Sequence, residues 1–331
     1  MVEDHPIGRL DGFRFTVAAD ARASDKRLLL AAAEKRLAGE RTRRGQSLVD
    51  APDADIALDE SAQIVWAGHP VARLGAGPSF ARPKLILDRA LDCLDKAARE
   101  RIETRLSRWL AAMLKRRLAV LVDLAALSRD ADATPALRAV ASAIEEAGGI
   151  LPRLPMRLAL EAVDPDERKR LRKIGIMVGA LDLFDIRLLK PEPARWRRIL
   201  AGIRGTVITA PRDGATVLAR GSDGATIEAG FRPLGLQAVR VDLIERIARA
   251  AHDSRTGRAP FAPDPALATS IGLEPASIER LMAELGFKAL AGETPRWVWR
   301  GRPPARAVPA TPIDPSRQNA FAGLAALVRH G

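Results

Sequence analysis

Apolar positions recur every three to four residues along much of the chain, and that spacing predicts amphipathic helices. Ser24-Asp25 can cap a helix carrying Leu28, Leu29, Ala32 and Leu37, with an end expected near Gly45. From about Asp95 to Leu127 a long helix is predicted, its stripe traced by Ile102, Leu106, Trp109, Leu110, Met113, Leu114, Leu118 and Leu121. Beside it run Arg101, Arg105, Arg108, Lys115 and Arg116, interrupted by Glu100 and Glu103, a pattern that favours a solvated, ion-paired face over a binding ridge. A further helix is predicted over Pro135–Ala147, stopped by Gly148-Gly149. Another starts at Asp164-Pro165-Asp166-Glu167, with Asp at the N-cap, Pro at the first helical position and Glu placed to close a capping box.

Alternation with period two is confined to short runs. His5-Pro-Ile-Gly-Arg-Leu10 is echoed by His69-Pro-Val-Ala-Arg-Leu74, and Gln63–Ala67 before the second copy reads as a strand entering a Gly68-His69-Pro70 turn. Gly12-Phe-Arg-Phe15 reads as a half-buried strand, and 206–238 as short strands and loops. From Val239 onward three short helices are predicted: Val241–Ala251, one from Asp264-Pro265 to Gly272, and one from Glu274-Pro275 to Gly286. Strands at Phe287–Ala291 and Pro295–Arg300 could then pair across Gly292-Glu293, converting a helix-turn-helix candidate into a winged helix. Trp297 and Trp299 fall on one face of the last strand, where packing is favoured over base stacking, and Arg296, Val298 and Arg300 fall on the other.

The expected fold is therefore α+β and predominantly helical. Its divisions are a β-hairpin and helix repeat region (1–83), a helical region (84–205), a short-strand connector (206–238), a winged-helix-like domain (239–301) and a Pro-rich tail (302–331) ending in the apolar Ala320–Leu327.

Charge adds a functional reading. The 331 residues carry 53 Lys+Arg against 41 Asp+Glu, a net of +12, and the excess is local: 165–204 contributes +6 and 288–331 contributes +5. Such concentration suits a polyanion held at particular surfaces. The candidate phosphate contacts are Arg168, Lys169, Arg172 and Lys173 on one helix, Arg195 and Arg198 around Trp196 on the next, and Arg296, Arg300 and Arg302 on the wing. Cations near a helix C-terminus also interact favourably with its dipole, so the first group has a structural reading beside the functional one. The third helix of the winged-helix candidate holds Glu274, Glu279 and Glu284 against Arg280, which disfavours base reading in a groove and favours phosphate contact by the wing.

Chemistry of other kinds finds little material. Cys93 is the single cysteine and the four histidines are dispersed, so neither a disulfide nor a metal site is expected. No phosphate-binding loop, dinucleotide fingerprint or serine elbow occurs, so no cofactor and no active site are expected. The absence of a membrane-length apolar run and of a signal-peptide pattern predicts a cytoplasmic protein.

Several stretches resemble the region C-terminal to the motor in bacterial superfamily 2 DExH-box helicases related to the mitochondrial degradosome RNA helicase. They are Gly8–Phe15, Ile64–Leu74, Arg170–Gly175, Leu188–Pro191, Gly230–Gly235 and Val239–Arg246. The resemblance implies an ATP-driven unwinding enzyme whose motor would precede Met1, and partners among RNA, DNA, a helicase motor or RNA-decay proteins. None of the stretches is catalytic, and Ile176-Met-Val-Gly179 replaces a more basic, aromatic loop. The chain is then a fragment or a stand-alone remnant, read as a nucleic-acid-binding accessory module. A protein-docking scaffold and a winged-helix transcription regulator are the alternatives.

Overall fold

The computed structural model describes residues 8–17, 23–291 and 296–301. Among them the chain is a mixed α+β protein with ten α-helices and small antiparallel sheets. It divides into two compact units, residues 1–78 with 82–116, and residues 79–81 with 117–331. The division falls inside the 84–205 segment expected as one helical region. His5, Arg302 and the Ala320–Leu327 segment lie outside the described residues.

In the first unit, β1 (Gly8–Asp11) and β2 (Arg14–Val17) pair antiparallel around Gly12-Phe13, so the first turn is built on Gly12. Gly12 sits at φ +57, and a Cβ there would approach His69 Cγ to 2.9 Å. α1 (Ala23–Asp50) runs past the stop expected at Gly45. A Cβ at Gly45 would meet Leu94 and Ile102 at ordinary contact distance, so this glycine lies at a packing contact inside the helix. Strands β3 (Ile56–Leu58), β4 (Gln63–Trp66), β5 (His69–Ser79) and β6 (Arg82–Leu87) form one sheet in sequence order. The β4–β5 turn is Ala67-Gly68, with φ of +50 and +79, the two left-handed residues of a type I′ hairpin. It falls one residue earlier than expected, which carries His69 and Pro70 into β5.

α2 (Lys96–Arg117) buries Ile102, Leu106, Trp109, Leu110 and Leu114. Trp109 Nε1 donates to the Asp53 carbonyl at 3.2 Å, and Arg105 donates to the Ala51 carbonyl at 2.6 Å and to Asp53 at 2.8 Å. The single helix expected from Asp95 to Leu127 is in fact two. At Leu118 the backbone leaves the helical region (φ −131, ψ 39) and α3 (Ala119–Leu127) begins, although the apolar stripe continues because both helices bury it.

In the second unit, α4 (Pro135–Glu146) is capped by Thr134, whose Oγ1 accepts from Leu137 N. Then follow β7 (Ile150–Pro152), α5 (Arg157–Ala162), α6 (Pro165–Ile174), β8 (Met177–Val178), β9 (Asp182–Phe184) and α7 (Pro191–Gly202), with β7, β9 and β8 in one antiparallel sheet. Asp164 caps α6 as the pattern predicts, accepting from Asp166 N and Glu167 N at 2.8 Å. The capping box does not close. Glu167 instead accepts from the N–H and hydroxyl of Thr134, at 2.9 and 2.8 Å, joining the first turn of α6 to the cap of α4.

Strands β10 (Val217–Ala219), β11 (Phe231–Leu234) and β12 (Gln237–Arg240) form a sheet ordered β10-β12-β11. After it come α8 (Val241–Asp253), α9 (Ala266–Ser270), α10 (Pro275–Glu284) and the hairpin β13 (Phe287–Leu290) and β14 (Arg296–Trp299). These elements share one core, in which Leu243, Ile244, Ile247, Leu281, Met282, Phe287 and Trp297 meet Leu234 and Val239. Among the described residues no helix is long and apolar enough to cross a membrane.

Candidate nucleic-acid interface

Pairing between β13 and β14 fixes which side chains share a face. Phe287 lies opposite Trp299, Lys288 opposite Val298, Ala289 opposite Trp297 and Leu290 opposite Arg296. With period-two alternation, Phe287, Ala289, Trp297 and Trp299 share the inner face, while Lys288, Leu290, Arg296, Val298 and Arg300 share the outer face. The inner side is an aromatic seam: Phe261 stacks edge-on against Phe287 at 5.5 Å, and Arg255 lies 4.5 Å above the Trp299 ring. Trp297 is buried in the core and Trp299 packs against it, so both tryptophans serve packing. Val298 is buried too and Leu290 is half-buried, leaving Lys288, Arg296 and Arg300 as the exposed members of the outer face.

Phe261 adds a third, one-residue strand to this hairpin. Its N–H donates to the Trp297 carbonyl at 3.0 Å and its carbonyl accepts from Trp297 N at 2.8 Å. Arg300 N donates to the Gly286 carbonyl at 2.9 Å, which fixes the strand end that carries the outermost described cation. Among the described residues the Arg296 side chain reaches only the Pro260 carbonyl, at 3.4 Å. Neither strand contains a carboxylate. Lys288 was absent from the candidates drawn from the sequence, although strict alternation from Phe287 would have placed it with Arg296 and Arg300.

α10 is not free to enter a groove. Ser277 is buried and its hydroxyl donates to the Leu234 carbonyl at 3.0 Å, Glu274 N donates to Gln237 Oε1 at 2.9 Å, and Glu284 receives Arg232 at 3.2 Å. The β11–β12 hairpin therefore occupies one flank of the helix. What remains exposed is Pro275, Ala276, Glu279, Arg280 and Ala283, and Arg280 is paired with Glu284 at 3.0 Å.

Arg232 is the hub of that contact. It reaches both oxygens of buried Asp182 at 2.9 Å and the Leu181 carbonyl at 2.9 Å. Burial works against its charge, but the hydrogen bonds and fields of Asp182 and Glu284 outweigh it and raise its pKa. Burial pushes the Asp182 carboxyl above the usual range, with Arg232 opposing the shift.

The α6 cluster has a different character. Arg168 donates to the Leu160 carbonyl at 2.9 Å, Lys169 pairs with Asp166 at 2.6 Å, and Arg170 is bound to Asp130. Arg172 and Lys173 are exposed in the last turn, beside the left-handed cap Gly175. Arg187, paired with buried Asp185, donates to the Ile174 carbonyl at 2.7 Å and so supplies a cation to the helix end already. On α7, Arg195 and Arg198 are half-buried. Arg197 between them is buried and donates to the Gly148 carbonyl at 2.6 Å and the Glu228 carbonyl at 2.8 Å. Burial lowers its pKa to about 10, against the field of Glu228.

Among the described residues no group of three or more His, Cys, Asp or Glu is placed to hold a metal ion. No protein-family model, no curated protein and no solved structure matches the chain.

Proposed function

We propose that the chain is a nucleic-acid-binding module that grips phosphodiester backbone without reading base sequence, through a winged-helix-like domain at 239–301. The observation that carries this reading is the outer face of the β13–β14 hairpin, where Lys288, Arg296 and Arg300 stand together on two strands without a carboxylate. Phosphate contacts of this kind position a protein on a strand, whereas base-edge contacts specify sequence. The helix that would read bases in such a domain is acidic and flanked by β11–β12, which supports backbone contact over groove reading. Three helices followed by a hairpin that pairs with a short preceding strand support the winged-helix assignment. The role as an accessory portion of a helicase-like protein, without its own ATPase motor, rests on the sequence resemblance.

Binding of a fluorescein-labelled mixed-sequence RNA strand, followed by anisotropy across a salt series, tests the reading. Log K should fall linearly with log salt, and Lys288→Ala/Arg296→Ala/Arg300→Ala should flatten the slope by about 2, near 0.7 per lost contact on a single strand. An unchanged slope removes the hairpin from the interface. A second reading, a protein-docking scaffold, is favoured by Leu154 and Leu158, two exposed leucines four residues apart, one in the turn before α5 and one in its first turn. That scaffold would show no salt-dependent RNA binding in the same titration.

A further inference from the structure

Along α2 in the first unit, Ala97, Arg101, Thr104, Arg108 and Lys115 lie on one line, with Ala111 and Ala112 each three or four residues from both Arg108 and Lys115, and all are exposed. They form one line on the helix surface, with Arg101, Arg108 and Lys115 seven residues apart, about 10 Å along the axis at 1.5 Å per residue. Arg116 adds a fourth exposed cation beside the last of them.

Glu103 does not face this line, being two residues from Arg101 and one from Thr104, spacings that point to different sides of a helix. Glu100 pairs with Lys96 at 3.8 Å, and Arg105, the half-buried arginine of the group, is consumed by Asp53 and the Ala51 carbonyl. Within the described residues the side chains of Arg101, Arg108, Lys115 and Arg116 enter no ion pair and no hydrogen bond. The fold keeps the solvated face expected from the sequence, but among the described residues it ion-pairs Arg105 alone of these five cations. It builds a rigid row of unpaired cations on a helix anchored through Trp109 and Arg105.

We infer that this row is a second nucleic-acid contact, binding the phosphodiester backbone of RNA lengthwise along α2. It rests on the nucleic-acid reading above but not on the β13–β14 hairpin. Small residues between the cations let a linear polyanion approach the helix closely. The same small residues argue against the other anionic partners. A bilayer surface calls for large apolar side chains to insert beside the cations, and a protein partner calls for aromatic or aliphatic anchors; Ala97, Ala111 and Ala112 supply neither.

The test uses the full chain and the RNA anisotropy assay, with three variants. Arg101→Ala/Arg108→Ala/Lys115→Ala/Arg116→Ala should weaken binding and flatten the salt slope by about 3. Arg101→Lys/Arg108→Lys/Arg116→Lys keeps the charge and should retain the slope, which separates electrostatic contact from loss of fold. The Lys288, Arg296 and Arg300 variant is measured alongside. If the α2 variant binds as the parent does while the hairpin variant loses affinity, the inference fails and the proposed function stands. If the reverse holds, the inference stands and the hairpin is dismissed. If neither variant changes binding, both fail. Phosphatidylserine vesicles form a further arm: vesicle binding lost in the α2 variant without any loss of RNA binding would overturn the inference in favour of a membrane surface.

Discussion

Glu145, buried on α4, accepts a hydrogen bond from Ala81 N at 2.6 Å, both residues belonging to the second unit. Burial raises its pKa above the ordinary 4.5, and the hydrogen bonds it accepts only partly offset that. The folded state therefore takes up the proton at higher pH than the unfolded chain does, so stability rises as pH falls through the raised value toward 4.5. The melting temperature of Glu145→Gln, relative to the parent, should thus drop as pH is lowered from neutral toward 4.5. A difference flat across that window would mean that Glu145 titrates as an ordinary carboxylate. Asp130 behaves oppositely. The Asp132 N–H and the Arg170 guanidinium hold it below 3.8, so its contribution is complete above 3.8 and is lost as pH falls through its folded value, as an NMR titration of its carboxyl would report. For the Asp182–Arg232 pair the decisive quantity is burial, since Asp182 is 2% exposed. Arg232→Met should cost about 3–5 kcal/mol in urea unfolding by stranding that carboxylate, and Arg232→Met/Asp182→Leu should recover much of it.

Glycines on helices separate two cases that a sequence cannot distinguish. Gly39 and Gly45 lie inside α1 without a positive φ, and a Cβ meets nothing at Gly39 and only ordinary contacts at Gly45. Alanine at each should stabilise the protein by about 0.5–1 kcal/mol, read from thermal melts. Gly175 ends α6 at φ +116, and a Cβ there would collide with the Arg187 guanidinium and the Asp185 carboxylate. Gly175→Ala should therefore destabilise, and the opposite signs check the assignment of α1 as continuous. The same contrast explains how much of the fold was legible. Asp164 and the Pro residues at the starts of α4, α6 and α10 act locally and made those helices legible, and α8 was legible from its apolar spacing alone. The run of α1 past Gly45, the break at Leu118 and the sheet of β7, β8 and β9 depend on distant partners, and strands of two or three residues carry no readable period. At the candidate interface Arg296 and Arg300 were legible from alternation. The consumption of Arg168 and Arg197 was not, because their partners Leu160, Gly148 and Glu228 are set by tertiary packing, whereas the Lys169–Asp166 pair is a local i,i+3 contact on α6 that the spacing could have offered. The stretches behind the helicase resemblance include several of these backbone-determined positions, Gly12, Gly68, Gly175 and Gly230 among them, each at positive φ. That ties the resemblance to turns and caps rather than to chemistry.

Across the whole molecule, the candidate contacts are distributed over two compact units, each with buried apolar side chains. Ile102 and Leu106 are fully buried in the first, and Leu234 and Leu281 in the second. A domain with its own core is expected to open as its own cooperative unit. Ile102→Ala should cost about 2–5 kcal/mol in the first unit, as removal of a buried aliphatic side chain does. Hydrogen exchange should then report lost amide protection in α2 and unchanged protection in α8 and α10. Leu281→Ala should reverse the pattern. Binding follows the same division: at a temperature where the Ile102→Ala variant has lost the first unit, RNA affinity should retain the share contributed by Lys288, Arg296 and Arg300 and lose that of the α2 row. Uniform loss of protection with either substitution would show the chain to be a single cooperative body, and the two contacts would then stand or fall together.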